Sequence, residues 1–252
     1  MELITVQEIE NINDKYYKNR DLTYYQEIIN LIKVLENIDT TLELGPCKSP
    51  LVIGGDVVDI TDEYLKDYPI KIGNFYKHDC SIVPFPFEEK KYDLVIACQV
   101  LEHLGTNQSE IFKELARISK MAIISLPYKW NKPCDVHHMI DEKIIDNWAN
   151  GLKPIFQQLA KYRLIRIYNF EDYTSLSDIK KLQQIADFQI LNKLKQEQQR
   201  NSILSKNLEQ EKIQTKKIEQ ELNQKNKLIQ EILGSNSWKY TESFRKLRLR
   251  FK

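Results

Sequence analysis

The stretch from Tyr92 to Leu104 constrains the fold more than any other part of the sequence. Residues 93–98 read Asp-Leu-Val-Ile-Ala-Cys, an apolar run without the alternation of a strand that has one face in water. Such a run is typical of a central strand covered on both faces. It passes directly into Gln-Val-Leu-Glu-His-Leu at residues 99–104. Because open α/β sheets bind ligands at the carboxyl ends of their strands, the stretch predicts a functional edge beyond residue 98.

Four further apolar runs have the length of strands and alternate with amphipathic segments. The runs are Thr41–Leu44, Asp56–Ile60, Met121–Leu126 and Leu164–Phe170. The helix candidates between them include Ser109–Ile118 and Glu142–Trp148. A helical pattern also covers residues 1–40, with an apolar face formed by Tyr25, Ile28, Ile29, Ile32 and Leu35. The alternation predicts an α/β fold with a mainly parallel sheet and helices on both faces.

Residues 174–233 contain no glycine or proline and are rich in Gln, Lys, Glu, Leu and Ile. Steps of three and four residues define twelve positions, seven of them apolar, which we call the seam. They are Leu194, Glu197, Asn201, Leu204, Leu208, Glu211, Thr215, Ile218, Leu222, Lys225, Ile229 and Ile232. The spacing favours a coiled coil of about five heptads that forms a homo-oligomer. The alternative is one long solvated helix.

The net charge of +1 conceals an asymmetry between the two halves of the chain. Residues 1–150 hold 16 Lys and Arg against 25 Asp and Glu, whereas residues 151–252 hold 21 against 11. The tail, residues 234–252, has an apolar stripe of Tyr240, Phe244, Leu247 and Phe251 among Lys and Arg residues. A basic amphipathic helix of this kind binds anionic membrane surfaces, or packs on the protein or a partner. No nucleic-acid-binding motif accompanies it, so nucleic acid is not an expected partner.

Composition therefore divides the chain into four segments. They are an N-terminal helical segment at 1–40, an α/β domain at 41–173, a coiled coil at 174–233 and the basic tail at 234–252. No apolar run has the length of a membrane-spanning helix, and the acidic amino terminus lacks the layout of a signal peptide. None of the four cysteines falls in a C-x-x-C pair. We expect a cytoplasmic protein without a metal site, in contact with the inner membrane face through its tail.

Acidic residues stand at the ends of the first two predicted strands of the domain. Glu43 lies in the run Thr41–Leu44, which turns through Gly45, and glycine lets a backbone approach a nucleotide-like ligand closely. Asp59 ends the next run, 16 residues after Glu43, where a carboxylate suits the hydroxyls of a ribose. His78-Asp79-Cys80 then follows ahead of the run at residues 92–98.

This ordered set resembles the class I S-adenosylmethionine-dependent methyltransferases, which have a Rossmann-like sheet. Tyr92–Leu104 follows the pattern F/Y-D-L-V-x-A-x-x-V-L-E-H-L of the methyltransferase type 11-like branch almost throughout. Leu42–Leu51 is similar to the first motif of the family, and Ser109–Leu126 to the helix and strand after the fourth strand. His137–Asp141 is similar to a segment that follows in related bacterial enzymes. The resemblance covers about Asp39–Asp172, a little over half of the chain.

The resemblance implies S-adenosylmethionine as the cofactor and a role for each matched residue. Glu43 and Gly45 would line the methionine part, Asp59 would hold the ribose hydroxyls, Asp79 would face the adenine amine with Cys80 beside it, and Gln99 would open onto the cofactor. The sequence departs from the family at Cys47, where a second glycine is usual. A side chain there would crowd or tilt the cofactor, which bears on both affinity and activity.

Methyl transfer needs alignment of a nucleophile with an activated methyl group and the exclusion of water. For a hydroxyl acceptor a general base assists, and the candidates are His138, His103 and His137, with Glu102 as a partner. His138 is preferred because the loop after the fifth strand often covers the acceptor site in this family. The ordinary alternative for each histidine is a structural role, and a metal site formed by His137, His138 and nearby aspartates is not expected.

The segment Ser235–Arg245 resembles a pattern, roughly S-x-S-W-R-x-T-x-P-L-R, that often follows coiled coils in bacterial enzymes of surface-polysaccharide assembly. Lys239, Ser243 and Phe244 replace its arginine, proline and leucine. The resemblance implies O-methylation of a sugar, with a glycan or lipid-linked glycan as acceptor. Two alternatives remain: a non-catalytic scaffold with a degenerate methyltransferase fold, favoured by Cys47, and a methyltransferase for a small molecule or protein.

Overall fold

The structure, a computed structural model, describes residues 1–12, 17, 21–66, 70–131, 136, 138–171, 176–235 and 241. The chain divides into two compact units, Met1–Phe188 and Gln189–Lys252. The predicted amphipathic tail lies outside the described residues, apart from its first two positions and Thr241.

Nine strands and six α-helices are described. The strands are β1 (Glu2–Leu3), β2 (Thr41–Leu44), β3 (Val52–Ile53), β4 (Asp56–Asp59), β5 (Phe75–Lys77), β6 (Tyr92–Cys98), β7 (Ser119–Pro127), β8 (Phe156–Ala160) and β9 (Arg163–Asn169). The helices are α1 (Val6–Glu10), α2 (Thr23–Val34), α3 (Glu63–Lys66), α4 (Gln108–Ile118), α5 (Glu142–Trp148) and α6 (Leu176–Gly234), with a 3₁₀ turn at Leu101–His103.

Seven strands of the first unit form one sheet in the order β5-β4-β2-β6-β7-β9-β8. The first five of these are parallel, β9 pairs antiparallel with β7, and β8 pairs antiparallel with β9. The sheet is thus mainly parallel, with one reversed strand, β9, near its edge. The α/β prediction is confirmed.

The central strand β6 is buried on both faces, as its continuous apolar run predicted. Val95 and Ala97 belong to a core layer that includes Ile111, Phe112, Leu115 and Ile118 of α4. Leu94 and Ile96 belong to the opposite layer, which includes Tyr25, Ile28, Ile29 and Ile32 of α2. The sheet is therefore covered by helices on both sides, and the periodic face predicted for residues 25–35 is the face that packs on it.

The amino-terminal segment is less uniform than its sequence pattern suggested. Helices occupy Val6–Glu10 and Thr23–Val34, but Glu2–Leu3 pairs antiparallel with Val52–Ile53 in a two-stranded ladder. A two-residue strand has too little sequence for a period to be read, so its formation depends on the partner strand rather than on local propensity.

Residues 176–234 form one continuous α-helix, α6. Its start belongs to the first unit, where Leu182 is buried in the core layer beneath α2. Beyond Gln189, in the second unit, the apolar seam residues are exposed. Among the described residues no helix has the length and hydropathy to span a membrane.

Candidate cofactor site

The loop after β2 begins with Gly45 in the left-handed region, at φ +51°. Its backbone N–H donates to the carbonyl of Val58 at 2.9 Å, which ties the loop to the end of β4. A Cβ at this position would stand 3.3 Å from Cγ2 of Val100, the second residue after β6. Glycine therefore gives the loop both its backbone conformation and its close approach to the end of β6.

Cys47 also lies in the left-handed region, at φ +57°. This is the position where the resemblance places a second glycine, and a cysteine adopts the same backbone conformation at a cost of about 1 kcal/mol. The backbone N–H of Cys47 donates to the carboxylate of Asp59. Cys47 thus has a backbone conformation that glycine adopts without strain, and it adds a half-buried side chain to the loop.

We expect Cys47→Gly to be more stable to unfolding than Cys47→Ala by about 1 kcal/mol, since alanine retains the left-handed strain and glycine does not. For a domain of this size the difference corresponds to roughly 2–4 °C in the thermal midpoint. Melting curves of the two variants, both without the thiol, measure it. Equal midpoints would show that this loop does not hold residue 47 in a left-handed conformation.

Asp59 is the last residue of β4, and its half-buried carboxylate accepts backbone N–H groups. Ile60 donates at 2.7 Å, and Thr61 and Cys47 donate as well. Burial raises the pKa of this carboxyl, and the three N–H groups partly offset that effect. A carboxylate has about four acceptor positions, so Asp59 can still accept from a hydroxyl of a ligand.

Asp79 and Cys80 follow β5, which pairs with β4. The exposed Asp79 carboxylate accepts from the Ser81 hydroxyl at 2.7 Å and from its backbone N–H at 2.9 Å, and these bonds lower its pKa. Cys80 is buried, and its thiol pKa is raised to about 12 by burial and by the negative charges of Asp59 and Asp79. Both carboxylates thus act on one protonated thiol, so the structure brings the two strand ends together.

Glu43 lies on β2 but is buried, with 3% exposure, rather than directed to the open edge. Its Oε1 accepts the backbone N–H of Val52 at 2.7 Å, and the backbone N–H of Leu51 also bonds the carboxyl. Burial raises the pKa of Glu43 to about 7 despite these bonds. The carboxyl therefore holds the chain where it returns from the loop, and the methionine contact that the resemblance implies stays a prediction.

The raised pKa of Glu43 predicts a pH dependence of stability. In the unfolded chain the carboxyl has its ordinary pKa of 4.5, whereas in the folded protein its pKa is about 7. Its contribution to stability is fully present below pH 4.5 and is lost as pH rises through 7. Between these values the carboxyl is ionised in the unfolded chain but still protonated in the folded protein, so rising pH favours unfolding. Between pH 4.5 and 7, we expect the decrease of the thermal midpoint to be smaller in Glu43→Gln than in the unchanged protein, by about 3 °C or more. Parallel curves for the two proteins would contradict this.

Gln99 directly follows β6 and is held against the neighbouring strand β7. It has φ +59°, its backbone N–H donates to the carbonyl of Ser125 at 2.9 Å, and its Nε2 donates to Oγ of Ser125 at 3.2 Å. Ser125 is fully buried. Sequence reasoning did not single out this serine, although it is the polar residue within the apolar run Met121–Leu126.

The candidate bases follow two neighbouring strands. His103 ends the 3₁₀ turn after β6, and its side chain is exposed, whereas the adjacent Glu102 is buried. His138 lies beyond β7, is exposed, and forms a bridge with Trp130. Because β6 and β7 are parallel neighbours, both histidines lie on segments that leave the same edge of the sheet. His137 lies outside the described residues.

The carboxyl edge of the sheet therefore combines Gly45, Asp59, Asp79 and Gln99, and the buried Glu43 holds the backbone of residues 51–52. Within the part of the chain that the structure describes, no group of three or more His, Cys, Asp or Glu residues has the arrangement of a metal site. A glycine loop, a half-buried carboxylate with a spare acceptor position and an exposed turn at the next strand end thus lie at the same edge of the sheet.

A protein-family model described as a methyltransferase domain matches residues 55–122. This range begins just before β4 and ends within β7, so it contains Asp59, Asp79 and Gln99. A search of the curated proteins gave no match.

Solved structures similar to the chain include methyltransferases of low identity. One is a SAM-dependent methyltransferase from Aquifex aeolicus, 13% identical, covering 67% of this chain and 100% of its own, with a TM-score of 0.46. A further similar structure, whose activity is not stated, is that of a protein from Pyrococcus horikoshii OT3; it is 16% identical, the match covers 63% of this chain and 93% of that protein, and the TM-score is 0.47. A third is the N-methyltransferase NodS from Bradyrhizobium japonicum WM9, 12% identical, covering 60% and 98%, with a TM-score of 0.44.

Proposed function

We propose that this chain is an S-adenosylmethionine-dependent methyltransferase that O-methylates a sugar in the biosynthesis of a bacterial surface polysaccharide. The methyltransferase part is carried by the carboxyl edge of the sheet, where Asp59 and the loop of Gly45 meet. The glycan part is supported by the sequence of the segment after α6, which is similar to a pattern found in enzymes of surface-polysaccharide assembly.

Each residue of the edge receives a separate role in the proposal. Asp59 accepts the ribose hydroxyls, Asp79 faces the adenine amine, and the protonated Cys80 offers a neutral wall beside them. Gly45 and Cys47 present backbone to the methionine part, and Glu43 fixes the loop through the backbone of residues 51–52. The cofactor, when bound, supplies a methyl group that its sulfonium has already activated. The protein's own work is then to orient the acceptor and to exclude water.

His138 is proposed as the general base, with His103 as the second candidate. Its role would be to accept, on an imidazole nitrogen, the proton that the acceptor hydroxyl loses when its oxygen is methylated. Both side chains are exposed at the edge where the acceptor must enter, so solvent can take the proton from the imidazole afterwards.

Transfer of isotope-labelled methyl from S-adenosylmethionine to lipid-linked oligosaccharides, analysed by mass spectrometry, tests the acceptor class. We expect label on a sugar oxygen and a loss of rate of about 10²-fold in His138→Ala, with His103→Ala as the matched comparison. Label that appears only on proteins or small molecules would refute the glycan acceptor. A folded protein that does not bind S-adenosylmethionine would favour the scaffold alternative, for which Cys47 is the supporting residue.

The proposal includes self-association of α6 through its seam and contact of the tail with the inner membrane face. The first is supported by the exposed apolar seam residues, and the second by the Lys and Arg residues around the tail stripe. Vesicles with and without anionic lipid, incubated with the full chain and with a chain that ends at residue 234, test the anchor. Equal partitioning of the two proteins would reject it.

A further inference from the structure

The seam of α6 has apolar side chains in water over most of the second unit. The seven apolar seam residues are 47–64% exposed. They are Leu194, Leu204, Leu208, Ile218, Leu222, Ile229 and Ile232. The remaining five seam residues are polar and are distributed along the same stripe, so a partner helix must accommodate both kinds.

A parallel, in-register pair of these helices places each seam residue opposite its own copy. Glu197 would then face Glu197, Glu211 would face Glu211, and Lys225 would face Lys225 within the packed layers. Like charges at such positions repel each other and lose hydration, so three of the twelve layers oppose this arrangement.

In an antiparallel pair, different residues face each other. Steps of three and four residues alternate along the seam, and a residue that begins a three-residue step, such as Leu194, faces a residue that ends one, such as Ile232. When the two helices cross at the level of residue 213, six kinds of layer form, and each occurs twice by two-fold symmetry. The facing pairs are Leu194 with Ile232, Asn201 with Lys225, Leu204 with Leu222, Leu208 with Ile218, Glu211 with Thr215, and Glu197 with Ile229.

In this register, five of the six kinds of layer pair like with like. Three are entirely apolar, Asn201 meets Lys225, and Glu211 meets Thr215, while the pair of Glu197 with Ile229 is the exception. No seam residue faces its own copy, so the like-charge contacts of the parallel pair disappear. A polar layer that accepts a polar partner is a known means of fixing register in coiled coils.

Neighbouring registers fit less well. A shift by one heptad leaves five kinds of layer. In one direction four of these pair a polar with an apolar residue, for example Leu208 with Lys225 or Leu222 with Glu211, and in the other direction all five do. A shift by two heptads restores most of the matching but leaves four seam residues of each helix uncovered. The register centred on residue 213 is thus the one that covers the whole seam, and it places a charge against an apolar side chain in only one of its six kinds of layer.

We propose that α6 binds a second copy of this chain as an antiparallel, two-stranded coiled coil centred on residue 213. The proposal rests on the self-association proposed above and is independent of methyl transfer. It assigns the Leu194 end of each helix to the Ile232 end of its partner.

Cysteine cross-linking at the layer of Asn201 and Lys225 tests orientation and register together. Both positions are polar, so cysteine there removes no apolar packing. In the antiparallel register these two residues face each other, whereas two copies of either residue lie about 36 Å apart along the coil, far beyond the ~4.4–6.8 Å between Cα atoms of a disulfide. The variants are Asn201→Cys, Lys225→Cys and the double substitution, each oxidised with oxidised glutathione beside the unchanged chain.

We expect a reducible covalent dimer in the double variant, with the disulfide between residues 201 and 225 by peptide mapping, and none above the unchanged chain in either single variant. Light scattering of the full chain should give twice the mass of one chain. A 201–201 or 225–225 disulfide would overturn the antiparallel orientation, and a monomer, trimer or tetramer would overturn the two-stranded pairing. S-adenosylmethionine binding, measured on the same samples, reports separately on the methyltransferase domain.

Discussion

Replacing Asp59 by asparagine is expected to weaken the binding of S-adenosylmethionine by roughly 10- to 100-fold. A hydrogen bond to a charged acceptor contributes about 1.5–3 kcal/mol, and the three backbone N–H groups on the carboxylate leave about one acceptor position for a ribose hydroxyl, so a loss of about 1.5–3 kcal/mol follows. Asparagine keeps the size of the side chain but has one acceptor oxygen and no charge. Because burial raises the pKa of Asp59, the titrations should be made well above the ordinary carboxyl range, where the residue is ionised.

Asp62→Asn is the matched control for this substitution. Asp62 lies three residues beyond Asp59 and is exposed, and its substitution by asparagine removes one negative charge, as in Asp59→Asn. We expect its affinity for the cofactor to stay within about twofold of the unchanged protein, since exposed charges interact weakly through water. Equal losses in the two variants would assign the effect to net charge and would contradict a specific role of Asp59.

Replacing Asp146 by alanine is expected to lower the free energy of unfolding by about 3 kcal/mol, or roughly 10 °C in the thermal midpoint. Asp146, on α5, pairs at 2.7 Å with Nη1 of Arg166, whose side chain on β9 is 3% exposed. Without the carboxylate the guanidinium keeps Gln157 and the Tyr168 hydroxyl as partners but is left as an uncompensated charge in the core. The result connects one ion pair to the attachment of α5 to the sheet.

Lys153→Ala removes the other partner of the same carboxylate and is the natural comparison. Lys153 also lies 2.7 Å from Asp146, but its side chain is 74% exposed, so its removal should cost less than about 1 kcal/mol. Lys153 and Arg166 both lower the pKa of Asp146 below its ordinary value of 3.8. The stabilisation is therefore present above pH 3.8 and is lost as pH falls through the folded pKa. Similar losses in the two alanine variants would contradict the importance of burial.

The strands that could be predicted from sequence are those whose own apolar residues indicate that they are buried. β2 and β6 have the predicted bounds because both are apolar runs in the middle of the sheet. β8 was not predicted, since Phe156–Ala160 alternates buried and exposed positions at the sheet edge and contains two glutamines. β5 has three residues and was also missed. Such strands form because a neighbouring strand offers hydrogen bonds, which the local sequence does not record.

The candidate site divides in the same way. Asp59, Asp79 and Gln99 could be placed at one edge because parallel strands bring their carboxyl ends together. The inward direction of Glu43 could not, since it depends on the backbone of residues 51–52, which returns from the loop. The left-handed conformation of Cys47 was likewise hidden, because a cysteine gives no sign of positive φ. The resemblance places a glycine at this position, and Cys47 has a left-handed conformation that glycine adopts without strain.

Calorimetric titration of the full chain with S-adenosylmethionine tests the central claim most directly. We expect saturable binding of one cofactor molecule per chain, and a thermal midpoint that rises with cofactor concentration because the ligand binds the folded state. The absence of binding heat and of any thermal shift, in protein shown by its melting curve to be folded, would contradict a methyltransferase that uses this cofactor.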